Sequence, residues 1–113
     1  MKTNYGVGII GAGHQLPARI ETNEELCKSL QDITPEWILE KTGIKRRYLA
    51  EESDSASGLA IAAAWNAIKT AGISVEEIDL IIACTFSADY MFPALSAKIQ
   101  MELKATNAQI FDL

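Results

Sequence analysis

Apolar positions along this chain change their period several times, and each change marks an element. Residues 7–10, Val-Gly-Ile-Ile, form a short β-rich run that predicts a first strand, with Gly11 and Gly13 loosening its exit. A loop with His14 and Pro17 follows. Thr22 with Glu25 three residues on makes a capping-box pattern for a helix through about Leu30. Thr34 is a good N-cap, Pro35 fits the first helical position, and Gly43 suits the left-handed residue that ends a helix, so a second helix of about two turns is expected there. Tyr48–Ala50 predicts a short strand. Ser53 or Ser55 can cap a long helix to about Thr70, stopped by Gly72, and its middle, Leu-Ala-Ile-Ala-Ala-Ala-Trp-Asn-Ala-Ile, is apolar on nearly every side and should be buried. Ser74 with Glu77 marks another start, and residues 78–85 are almost wholly apolar, as in a strand covered on both faces. Pro93 opens a helix to about Leu103, and residues 108–113 form the next strand. Strand, helix, strand at that spacing implies a right-handed parallel crossover, and the class is α/β.

Composition narrows the setting without identifying the chemistry. With 113 residues, 49% of them hydrophobic and 22% charged, the chain can bury one modest core, and a single domain over 1–113 is the default. Ten basic against fifteen acidic residues give a formal charge of -5, which argues against broad nucleic-acid or anionic-membrane binding. No apolar run approaches the roughly eighteen residues needed to span a bilayer. Cys27 and Cys84 form no Cys-x-x-Cys pair, and the start is too polar and glycine-broken for a signal peptide, so a reducing cytoplasm is the simplest setting. No metal-ligand spacing stands out.

Two glycine and basic patterns bear on ligands. Gly6-x-Gly8-x-x-Gly11 matches the dinucleotide fingerprint by letter, but that motif needs a strand before it and a helix after it, and Gly11 is followed by a loop broken by Pro17. The stronger pattern is residues 35–48, Pro-Glu-Trp-Ile-Leu-Glu-Lys-Thr-Gly-Ile-Lys-Arg-Arg-Tyr. Trp37 and Lys41 sit four apart and share a helix face, while Lys45, Arg46 and Arg47 follow the stop. A purine can stack on an indole while cationic groups hold phosphates, which suits a nucleotide-bearing ligand such as coenzyme A. Packing is the competing role for Trp37, and a solvated face is the competing role for the three cations. His14, alone in a glycine loop, reads as a turn or surface residue. Phe92 before Pro93 reads as a helix staple.

Glu36-Trp37-Ile38 followed by Lys41-Thr42-Gly43-Ile44 resembles a segment of β-ketoacyl-acyl-carrier-protein synthase III, in the thiolase superfamily. Gly11-Ala12-Gly13 with Leu16-Pro17, residues 22–26, Phe92-Pro93-Ala94 and the closing Phe111-Asp112-Leu113 agree in order and spacing, so the resemblance covers nearly the whole chain. It implies the N-terminal half of a thiolase-like layered α/β/α sandwich, with mostly parallel strands, right-handed crossovers and the alanine-rich helix between sheets. It also implies a coenzyme A thioester as substrate with no permanently bound cofactor, an acyl carrier protein partner and a homodimer. In the family the tryptophan stacks on the adenine of coenzyme A with a basic residue four positions later, here Trp37 and Lys41. Lysine replaces the usual arginine, and Ile33 stands where threonine is common, so coenzyme A affinity is expected to differ. By the same resemblance Phe92 borders the acyl pocket of the neighbouring subunit. Lys45, Arg46 and Arg47 are placed to contact the carrier protein or a phosphate.

Neither cysteine reads as a nucleophile. Cys27 falls in an amphipathic helix and Cys84 inside an apolar strand, where burial makes a thiol inert. In the family the catalytic cysteine follows the Phe-Asp strand within a few residues, and the partner histidine and asparagine come later still. A chain that halts on an apolar strand looks cut rather than finished, so no catalytic residue is expected within 1–113 and the chain is expected to be inactive alone. The alternatives are a secondary-metabolite synthase of the same superfamily, and a non-catalytic binding or assembly half recruited through its strand edge.

Overall fold

Short polar side chains start three of the four α-helices where the sequence places them. The computed structural model describes residues 6–113, which divide into two compact units: residues 6–15 with Ser55–Leu113, and Leu16–Asp54.

In the smaller unit, strand β1 (Arg19–Thr22) runs straight into helix α1 (Asn23–Cys27). Thr22 and Glu25 close the expected capping box, the Thr22 hydroxyl accepting from the Glu25 N–H and the Glu25 carboxylate from the Thr22 N–H. Helix α2 (Pro35–Thr42) has Thr34 as its cap and Pro35 in its first turn, and ends on Gly43 at φ 71°, each as the sequence predicts. Strand β2 (Arg46–Leu49) pairs antiparallel with β1, setting Glu21 opposite Arg47. Strand β1 has no apolar alternation and was invisible to periodicity; its pairing to β2 makes it a strand. Two expected boundaries move: α1 stops at Cys27 instead of about Leu30, and β2 begins at Arg46, ahead of Tyr48.

The centre of this unit is Asn23, 4% exposed. Its amide donates to the carbonyl of Ile44 at 2.8 Å and at the margin to that of Pro35 at 3.5 Å, and its oxygen accepts from the Arg47 guanidinium at 2.7 Å. One side chain thus ties the start of α1 to both ends of the α2 segment and to β2. Asn23→Ala is expected to lower stability by about 1–3 kcal/mol, because the Ile44 carbonyl and the Arg47 head group lose their partner in a partly buried place. Urea unfolding followed by Trp37 emission measures it.

In the larger unit, helix α3 (Ala56–Ala71) is capped by Ser55 and ends on Gly72 at φ 67°. After a 3-10 turn at Val75–Glu77, strand β3 (Leu80–Ala83) leads through a long loop to helix α4 (Leu95–Leu103) and strand β4 (Gln109–Asp112). β3 and β4 pair in parallel, Ile81 opposite Ile110 and Ala83 opposite Asp112, as the strand-helix-strand spacing predicts. The core is Ala83, Leu95, Ile99, Leu103, Ala105 and Ala108, packed on Ala60, Ile61, Ala64 and Ile68 of α3. A second stripe of α3 is covered by residues 11–13: a β-carbon on Gly11 would meet the Ala67 carbonyl at 2.6 Å and Ala71 at 2.7 Å, and one on Gly13 would overlap backbone atoms of Ala63 and Ala67. Asn66 holds this segment by donating to the His14 carbonyl at 3.1 Å.

Several expectations need correction. Residues 7–10 form no strand, because no described strand lies beside them to complete a ladder. Strand β3 is covered on one face only: Ile81 and Ala83 turn to the helices, whereas Leu80 and Ile82 remain 51% and 55% exposed. Helix α3 is covered on two stripes and not all round, leaving Trp65 exposed. Cys84 lies beyond the end of β3 and is exposed, so its expected burial fails. Pro93 does not open α4, which starts two residues later.

The start of α4 is set by a remote residue. Asp112, at the end of β4, accepts from the Leu95 and Ser96 N–H groups at 2.7 and 2.8 Å. Asp89 does the same for α3, accepting from Ala56 at 2.7 Å and from Ser57 at 3.2 Å. Ser57 and Ser96 are both buried at the second position of their helices. The Ser96 side chain and N–H, then the Leu95 N–H, hold the Asp112 carboxyl below the usual 3.8; the Ser96 Oγ itself has no bond within hydrogen-bonding geometry, so the two N–H bonds are the firm part of this clamp. The Ser57 side chain, then the Ser57 and Ala56 N–H groups and the Lys98 ammonium, likewise hold the Asp89 carboxyl below its usual value, while burial acts the other way. A carboxylate whose folded value lies below its unfolded value stabilises the fold above that unfolded value, and the contribution is lost as pH falls through the folded one. Thermal midpoints are therefore expected to hold from neutral pH down to about pH 5 and to fall below about pH 4, with a shallower fall in Asp89→Asn/Asp112→Asn. An unchanged acid slope in that double variant would assign the effect to other carboxylates.

Candidate functional site

Helix α2 presents its indole and its ammonium by simple geometry. Ile38 is the buried position of the helix, at 7% exposure, and it fixes which side faces inward. Thr34 accepts from the Trp37 N–H at 3.2 Å, Gly43 donates to the Leu39 carbonyl at 2.8 Å, and the Thr42 hydroxyl donates to the Ile38 carbonyl at 2.6 Å. Backbone fixed at both ends leaves Trp37 with its ring half exposed, at 50%. A core residue would be covered, and Trp37 is not.

Lys41 stands one turn further along and is exposed, its ammonium 2.8 Å from Glu40. Pairs of that kind between exposed side chains are worth about 0–1 kcal/mol, so a phosphate can displace the glutamate at little cost.

The basic trio expected to act together is divided. Arg47 is committed to the fold: besides its bond to Asn23 it lies 3.7 Å from Glu21 across the strand pair and is only partly exposed. Lys45 and Arg46 are exposed. Lys45 lines an open cleft of about 210 Å³ with Asn23, Glu24, Pro35, Glu36 and Leu39. Two carboxylates against one ammonium make that cleft unsuited to a phosphate, and its Pro35 and Leu39 wall lies on the side of α2 turned away from Trp37. Of the four cations in residues 41–47, Lys41, Lys45 and Arg46 keep exposed head groups.

Phe92 lies in the other unit, on the loop between β3 and α4, and is 88% exposed. Such exposure excludes the staple role that its place before Pro93 suggests. Phe86, Tyr90 and Met91 on the same loop are also exposed. His14 is exposed, and Cys27 at the end of α1 is half-buried. Among the described residues no group of three His, Cys, Asp or Glu side chains is placed to hold a metal ion, and no helix is long and apolar enough to cross a membrane. Sequence reasoning missed Asn23, Asp89 and Asp112, whose partners lie 9 to 33 positions away and leave no local signal.

No protein-family profile matches the chain. It is 46% identical over 105 residues to the β-ketoacyl-acyl-carrier-protein synthase III of Rickettsia canadensis, covering 93% of this chain and 33% of that protein. The protein of the same name from Rhodospirillum centenum is 44% identical over 105 residues, 93% of this chain and 32% of its own length. The crystal structure of 3-oxoacyl-acyl-carrier-protein synthase III from Aquifex aeolicus superposes with a TM-score of 0.88 at 40% identity, over 96% of this chain and 34% of that one. A priming β-ketosynthase from the R1128 polyketide biosynthetic pathway matches with a TM-score of 0.87 at 38% identity, over 93% and 31%. The chain spans about a third of the length of the curated relatives it matches, less than the half that the resemblance implies.

Proposed function

We propose, for a chain homologous over 93% of its length to β-ketoacyl-acyl-carrier-protein synthase III and carrying that part of the thiolase-like α/β fold, that it forms the coenzyme A-holding portion of such a synthase. The observation that carries this reading is the half-exposed Trp37 with Lys41 on the same face of α2, in a sequence aligned with synthases. Trp37 stacks on the adenine, Lys41 meets the phosphates, and Lys45 and Arg46 receive an acidic acyl carrier protein. The full enzyme transfers an acyl group from coenzyme A to a cysteine thiolate, releasing the coenzyme A thiol. It then condenses that group with malonyl-acyl carrier protein as carbon dioxide leaves, starting fatty-acid synthesis in the cytoplasm. Phe92 borders the acyl pocket at a homodimer interface.

On this reading neither Cys27 nor Cys84 is the nucleophile. Exposed Cys84 follows the end of β3 and lies in no helix, so no helix start in its own segment activates it. Purified chain incubated with acyl-coenzyme A is expected to show no acyl adduct by intact mass. An adduct lost in Cys84→Ser would overturn this assignment.

A polyketide-priming role is the second reading, favoured by the R1128 ketosynthase match at 38% identity. Assaying the full-length enzyme with fatty-acid and polyketide carrier proteins separates the two. Light scattering tests the remaining alternative, a non-catalytic assembly half, for which a clean monomer at high concentration would count against self-association.

A further inference from the structure

The loop between β3 and α4 combines exposed apolar side chains with a single polar fastening. Phe86, Met91 and Phe92 are almost fully exposed and Tyr90 is largely so. The Thr85 and Ser87 bonds stay within the loop. Among the described residues, every hydrogen bond from this loop to the helices of the larger unit that involves a loop side chain runs through Asp89. Its carboxylate, 13% exposed, accepts from the first two N–H groups of α3 and lies 3.4 Å from the Lys98 ammonium of α4. That ammonium also sits over the Tyr90 ring, 5.4 Å from its centre. Three residues past Asp89 comes Phe92, so the clamp sets the path of the segment that carries it.

We propose that Asp89 is a positioning residue for acyl-chain selection, fixing the loop so that Tyr90, Met91 and Phe92 stand at a set place beside the acyl group. This rests on the reading of Phe92 as an acyl-pocket residue. A carboxylate held by two backbone N–H groups and an ammonium cannot swing without breaking charge-assisted bonds, and the aromatic and methionine side chains beside it inherit that rigidity.

The test uses the full-length enzyme carrying this sequence, with kcat/KM measured for a short-chain and a medium-chain acyl-coenzyme A. Phe92→Ala and Asp89→Ala are each expected to change the ratio of the two values about tenfold. Asp89→Asn, which keeps an acceptor for the α3 N–H groups, is expected to recover most of the change. A purely structural role lowers both values by one factor and leaves the ratio alone, and that outcome for Asp89→Ala, with Phe92→Ala shifting the ratio, overturns the proposal while sparing Phe92. No shift in either variant removes the acyl-pocket reading and the proposal with it. Should Asp89→Ala not fold, Lys98→Met opens one arm of the clamp and leaves the helix bonds; a smaller shift in the same direction is expected, and an unchanged ratio counts against Asp89.

Discussion

Replacing Gly13 with alanine is expected to destabilise the larger unit by about 3 kcal/mol, at the upper end of the cost of overpacking. The reason is what the new methyl would meet. A β-carbon at Gly13 overlaps the Ala63 carbonyl and the Ala67 nitrogen, both backbone atoms of α3, so no rotamer change relieves it. Residues 11–13 would have to lift from the alanine stripe Ala63, Ala67 and Ala71, straining the bond from Asn66 to the His14 carbonyl. Gly8→Ala is the control, since nothing lies within 4 Å of a β-carbon there. Urea unfolding followed by Trp65 emission reads both, and equal midpoints for the two variants would contradict the close packing.

Trp37→Ala is expected to weaken coenzyme A binding at least tenfold while leaving the fold intact. Stacking of a base on an aromatic side chain is worth about 1–3 kcal/mol, and each 1.4 kcal/mol is about tenfold in affinity. Trp37 is half exposed and Ile38 is the buried side chain of α2, so removing the indole spares the packing. Lys41→Ala is expected to cost less, since an exposed ammonium contributes about 1 kcal/mol or below and fades with salt. Equal affinity in a folded Trp37→Ala variant would return the indole to a packing role.

Helix boundaries were legible wherever the stop and start signals were local. Thr22 with Glu25, Thr34 with Pro35, Ser55, Gly43 and Gly72 all act as their residue types dictate. Elements defined by pairing were not legible in the same way. β1 lacks any alternation and exists through β2, whereas residues 7–10 have the alternative fault, a strand-like composition with no described partner. The near-continuous apolar run of 78–85 promised two covered faces, but helices pack on only one, and Cys84 is left outside the strand. The start of α4 escaped prediction because its cap comes from Asp112, on the next strand.

The candidate site divides along the same line. Trp37 and Lys41 are four positions apart on one helix, so their shared face could be read directly. Arg47 looked equivalent to Lys45 and Arg46 in sequence, yet strand pairing sets it against Glu21 and Asn23 and removes it from the free cations. The chain is about 45% identical to synthases three times as long, so the chemistry proposed for it covers only part of theirs.

The most direct test of the coenzyme A face uses Trp65→Phe chain, in which Trp37 is the remaining tryptophan. Coenzyme A is titrated while indole emission is recorded, with pantetheine as the ligand lacking the nucleotide. Saturable quenching by coenzyme A and none by pantetheine is the predicted result. Emission unchanged by coenzyme A, or quenched equally by pantetheine, would contradict the claim that Trp37 and Lys41 hold the nucleotide of a thioester substrate.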